Sequence, residues 1–152
     1  MIRSCRALPF AIGTFAVTAS FALSQVTFPT EEIGLPTKDG VVPRTVEVAD
    51  TSARRAQGYM GRTDIGPDDG MLFVFERPRR VQMWMKNTPT SLDMVFIEPD
   101  GTIESIARET EPFSTAIVGS DGTVGFVLEV LAGQADALGL KPGERIEGPR
   151  FD

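Results

Sequence analysis

Short apolar runs with a two-residue rhythm dominate the chain after residue 44. Residues 45–49 (Thr-Val-Glu-Val-Ala) alternate as a half-buried strand does, whereas residues 71–75 (Met-Leu-Phe-Val-Phe) are apolar throughout, as in a strand covered on both faces. Residues 81–86 alternate again and set Val81, Met83 and Met85 against Gln82, Trp84 and Lys86. Residues 92–98, 102–108 and 123–130 predict further strands, the first two joined at Pro99-Asp100-Gly101, whose Asp-Gly pair suits the twist of a tight hairpin. Residues 144–147 could close the sheet. Two stretches read as helices instead: 52–57, capped by Asp50 or Thr51 and stopped by Gly58, and 132–138, stopped by Gly139 and blocked by Pro142-Gly143. The strands do not alternate with helices in the manner of a doubly wound sheet. The pattern therefore predicts an α+β fold: a curled, mainly antiparallel sheet or partly closed β-barrel with two short helices.

The first 43 residues follow another pattern. Arg3 and Arg6 precede an apolar stretch from Ala7 to Phe21, and Ala22-Leu23-Ser24 before Gln25 fits a signal-peptidase site, so residues 1–24 predict a removed signal peptide. A retained anchor is disfavoured because Pro9 and Gly13 interrupt a stretch already short of the roughly 20 residues a span needs. Cys5 precedes the apolar run, the wrong place for a lipid acceptor. Residues 25–43, with Pro29, Pro36 and Pro43, predict a linker or N-terminal arm, leaving 44–152 as a single α+β domain. A periplasmic or secreted location is the expectation, with no membrane insertion after cleavage.

Removing the leader changes the chemistry on offer. It takes away the one cysteine and two arginines, leaving 13 basic against 21 acidic residues and a formal net charge of −8. Such a chain has no general field for nucleic acid or anionic lipid. With no histidine either, thiol catalysis, Ser-His-Asp triads and the usual zinc sites are closed, and acid-base work falls to carboxylates, lysine or Tyr59. Neither a cofactor nor a metal site is expected. Met60, Met83, Met85 and Met94 could in principle hold Cu(I), but Met83 and Met85 fall on one side of a strand, as core fillers do.

Five separated blocks carry a family resemblance. In order, they are Gly58-Tyr59-Met60-Gly61-Arg62, Gly70-Met71-Leu72-Phe73-Val74-Phe75, Trp84-Met85-Lys86-Asn87-Thr88 with Leu92-Asp93 and Phe96-Ile97, Val127-Leu128-Glu129, and Gly139-Leu140-Lys141-Pro142-Gly143-Glu144. Together they resemble the bacterial and archaeal family known as domain of unknown function 192, from about Val46 to Ile146; Gly61 departs from the bulkier or polar residue of many relatives. The resemblance implies a small α+β domain, often exported, with no established activity and no catalytic residue to carry over. Residues 139–146 also resemble the helix-to-strand turn of PDZ domains, a likeness explained by Gly and Pro-Gly in the bend.

Charged residues inside apolar strands supply the site candidates. Ionised groups are costly to bury, so Lys86, Asp93 and Glu129 should be solvated, paired, or turned toward a site that uses them. One expectation gathers Lys86, Asn87, Asp93 and Glu129 on a concave patch with Trp84 as apolar wall and Arg62 at its edge, binding a small polar ligand or glycan. The plainer alternative pairs Lys86 with Asp93 to fix a hairpin and lets Glu129 accept backbone amides. Ser114 and Thr115 could present a hydroxyl nucleophile with Lys86 as base, although a solvated loop accounts for them, as a solvated turn does for Arg77, Arg79 and Arg80. The chain thus reads as an exported non-catalytic ligand-binding or accessory module. A hydrolase using Asp93 and Glu129 and an envelope protein-interaction domain are the alternatives.

Overall fold

Strands that are apolar at nearly every position turn out to lie inside a sheet covered on both faces. The structure, a computed structural model, describes residues 26–151. In chain order the elements are β1 (Thr30–Thr37), β2 (Gly40–Ala49), α1 (Ser52–Gln57), β3 (Gly70–Arg79), β4 (Gln82–Met83), β5 (Leu92–Ile97), β6 (Ile103–Ala107), β7 (Val118–Gly119), β8 (Val124–Leu131) and α2 (Gln134–Leu138). Six strands form one curled sheet in the order β1-β2-β3-β8-β5-β6, and β4 pairs with β7 as a separate ribbon. Every pairing is antiparallel except β2 with β3, whose crossover carries α1. The expected α+β class holds, with one parallel pair making the sheet mixed. The leader read in residues 1–24 lies outside the described residues. Among the described residues no helix is long and apolar enough to cross a membrane.

Each face of the sheet has its own core. On one, Ile33, Leu35, Val46, Leu72, Val95, Ile97, Leu128 and Val130 pack with Ala135 of α2 and with Ile146. On the other, Ala49, Tyr59, Met71, Phe73, Met85, Leu92, Met94, Phe96 and Val127 pack together. Each large side chain fully buried in this way contributes roughly 1.5–3 kcal/mol relative to exposure. β5 and β8 separate the two cores, which is why they show so little polar alternation.

The expectation that residues 25–43 form a linker or N-terminal arm is corrected for the described residues from 30 onward. Thr30–Thr37 is an eight-residue strand paired along its length with β2, and Ile33 and Leu35 are fully buried. Its prolines misled because they fall where no ladder amide is needed. Pro36 is on the outer strand, and Pro43 precedes the short Glu47–Ala49 stretch over which β2 pairs with β3. The expected strand over 81–86 is also shorter, since only Gln82–Met83 pair before the backbone turns through Asn87 at φ 57°.

The six-stranded ladder is open, and the C-terminal segment spans the opening. The Ile103 and Ile146 amides donate to the Glu144 and Gly101 carbonyls, while Gly34 and Glu147 exchange both of their backbone hydrogen bonds. Gly101 sits at φ 90°, and a Cβ there would run into the Ile146 carbonyl and the Phe151 ring. Gly101→Ala is therefore expected to lower stability by about 2 kcal/mol in a urea titration, through the strained φ and displacement of the segment it supports.

Candidate functional site

Two strand carboxylates that looked alike in sequence face opposite sides of the sheet. Asp93 pairs with Val130 and Met94 with Glu129, so the period-two rule turns Asp93 into the Val95–Val130 core and Glu129 into the Met71–Met94 core. The shared patch expected for them does not form, and a hydrolase built on the two has no common space in which to act.

Asp93 is fully buried and bound on both oxygens. Oδ1 accepts the Glu109 amide at 2.8 Å and Oδ2 the Ala135 amide at 3.0 Å. The second bond caps α2, whose own N-cap, Gly133, has no side chain to do so. Lys86 is exposed and rests over the Trp84 ring at 5.2 Å instead of pairing with Asp93. Asn87 is exposed too and contributes its carbonyl to the Gly61 amide. Arg62 binds Glu47 at 2.5 Å and covers the Tyr59 ring at 5.0 Å. Of the six expected site residues, only Trp84 and Glu129 line the same cavity.

That cavity holds about 230 Å³ and lies between the end of α1, the 58–60 turn, β3 and the β4 ribbon. Gly58 ends α1 at φ 43°, and a Cβ there would press on the Phe73 ring at 3.0 Å, so this residue lets Tyr59 descend against the sheet. Phe73, Phe75, Trp84, Met60 and Met83 wall the space. An irregularity in the β3–β8 register between Val74 and Arg79 accompanies the return of Arg79 to the cavity, with its guanidinium 5.1 Å from the Phe75 ring. Arg55 lies 5.8 Å from the same ring while donating to the Asp50 and Val74 carbonyls. Trp84 forms a lip that is 47% exposed. It is held in place by the Met83–Val118 pairing and by the Met85 amide donating to the Ser114 carbonyl.

Two polar groups among the residues lining this cavity have no partner among the described residues. Glu129 is 4% exposed, sits in register between Met71 and Met94, and has neither hydrogen bond nor ion pair among the described residues. Burial pushes its carboxyl up to about 8 from an ordinary 4.5. The Tyr59 hydroxyl is buried and unbonded, and burial, followed by the charges of Glu47 and Glu129, drives its acidity far down. The sequence offers Tyr59 as one of the groups left for acid-base work. As the only tyrosine, directly after the glycine that ends α1, it was visible but had no stated partner.

A family model described as an uncharacterized ACR, domain of unknown function 192, matches residues 35–148. The chain belongs to this family. The match begins inside β1, so this domain of unknown function 192 chain takes in residues that read as an arm in the sequence. It is similar to a crystal structure from Sinorhizobium meliloti 1021, of a protein named a candidate transcription regulator, at 44% identity and TM-score 0.80 over 84% of this chain and 100% of that one. It is also similar to a protein of unknown function from Novosphingobium aromaticivorans DSM 12444, at 32% identity and TM-score 0.76 over 87% of this chain and 93% of that one. No curated protein matches the chain.

Proposed function

We propose that this chain is a non-catalytic module that binds a small polar ligand in the Tyr59–Trp84–Glu129 cavity, working in the exported state its leader-like start implies. What supports the reading is the unpaired Glu129 carboxyl and Tyr59 hydroxyl at one aromatic-walled space. Buried polar groups are nearly always hydrogen-bonded, so a Tyr59 hydroxyl with no partner among the described residues, in one cavity with a Glu129 carboxyl that bonds none of them, suits a ligand that completes both. The volume is below the roughly 300–1,000 Å³ of drug-sized sites, which fits a small molecule or the end of a longer one. The formal net charge of −8 left after removal of the leader gives no general attraction to nucleic acid, which disfavours a DNA-binding role like that in the name of the Sinorhizobium protein.

Trp84 is the only tryptophan and stands at the cavity lip, which makes the test direct. A molecule co-purifying with the chain, identified by mass spectrometry and added back to stripped protein, is expected to change Trp84 fluorescence and to move the methyl signals of Met60 and Met83. Shifts confined to residues remote from the cavity would overturn the reading. Tyr59→Phe removes a buried group with no partner among the described residues and is expected to raise stability by about 1 kcal/mol in thermal or urea unfolding while weakening ligand binding.

A further inference from the structure

We propose that the cavity recognises its ligand through a hydrogen-bond-accepting oxygen, a carbonyl or phenolate on a flat conjugated ring, held between the Glu129 carboxyl and the Tyr59 hydroxyl. This goes beyond the cavity being a ligand site and rests on it. The charges around the space favour such a ligand. Arg55 and Arg79 line it and Lys86 covers Trp84 at the lip, while Glu129 is the only acidic residue among its lining residues. The nearby carboxylates are occupied or solvated: Glu47 is held by Arg62, Glu76 lies 3.9 Å from Arg55 and is largely exposed, and Asp69 is exposed in its turn. A cationic ligand would meet three positive groups on the way in, whereas an oxyanion would be drawn by them.

The interior polar groups point the same way. Burial among Met71 and Met94 keeps Glu129 as the carboxylic acid at neutral pH, so it offers an O–H in the cavity that Tyr59 also lines. Thr88, the other buried hydroxyl in the lining, already donates to the Lys86 carbonyl at 3.4 Å. A carboxylic acid held neutral by an apolar site and set with a tyrosine hydroxyl is an effective donor pair for an oxygen carrying negative charge. The walls suit a flat π-system, with Phe73, Phe75 and Trp84 offering ring surfaces and Met60 and Met83 soft thioethers.

The probe is 4-nitrophenol, with benzylamine as a cationic compound of comparable size, titrated calorimetrically into the full chain at pH 7. The expected result is that 4-nitrophenol binds, that its bound form is displaced toward the phenolate in visible absorbance, and that benzylamine binds about tenfold more weakly or worse. Glu129→Gln and Tyr59→Phe should each weaken 4-nitrophenol about tenfold, with amide NMR spectra showing both variants folded. Tighter binding of benzylamine, or no binding of 4-nitrophenol at millimolar concentration, overturns the proposal. Either outcome leaves the ligand-site reading standing, because that reading falls only if the co-purified molecule maps elsewhere.

Discussion

Glu129→Gln should stabilise the protein by several kcal/mol at pH 8 and leave it almost unchanged at pH 4.5. The folded carboxyl is raised to about 8, whereas the unfolded one ionises near 4.5. Below 4.5 both states are protonated and no penalty exists. Between 4.5 and 8 the unfolded state has released its proton and the folded state has not, so stability falls as pH rises and levels off above 8. The full penalty is on the order of 4–5 kcal/mol, since each pKa unit is worth about 1.4 kcal/mol. Glutamine does not titrate, so the variant lacks this slope.

The groups facing Glu129 do not supply a competing trend. Tyr59 titrates well above the window, and Glu47 is tied to Arg62. Asp50, lowered chiefly by its hydrogen bond to Arg54, adds stability that is present above about pH 4 and lost only below it. Urea titrations of both proteins from pH 4.5 to 8 measure the effect. A difference that stayed flat across that range would show that Glu129 ionises freely and is not sealed in the cavity.

How far the sequence revealed this structure depends on what fixes each feature. α1 was legible because Thr51 accepts the Arg54 amide and Gly58 ends the turn, and the β5–β6 hairpin was legible from Asp100-Gly101. Both are set by contacts a few residues apart. β1 was not, because its prolines suit an outer strand as well as they suit a loop, and only Ile33 and Leu35 meeting Val46 tells the two apart. The candidate site was half legible for a sharper reason. Alternation assigns side chains to one of two faces within a strand, but the register between strands fixes which faces coincide. Asp93 opposite Val130, instead of Glu129, is a one-residue matter that no single strand records. The roles of Phe75 and Arg79 at the cavity depend on the same kind of information, a register irregularity in β3.

Asp93→Ala should cost about 3–5 kcal/mol, opposite in sign to the change at Glu129 although both replace a buried strand carboxylate. Asp93 accepts two backbone amides through separate oxygens, and each hydrogen bond to a charged group contributes roughly 1.5–3 kcal/mol. Alanine leaves the fully buried Ala135 amide without its acceptor and frees the Glu109 amide, on an exposed residue, from its tether. Glu109 is held at φ 47°, which a non-glycine residue adopts at a cost, so loss of its tether lets the backbone there relax away. Asp93→Asn keeps one acceptor oxygen but turns an NH2 group toward a donor, and is expected to lose about 2 kcal/mol. Hydrogen exchange at the Ala135 and Glu109 amides should speed up in both variants, while the Trp84 environment on the far face stays unchanged. An Asp93→Ala protein within about 1 kcal/mol of wild type would mean that α2 holds its place through Ala135 and Leu140 packing alone. The carboxylate buried with its partners is thus the structural one, and the carboxyl buried without them is the one a ligand can complete.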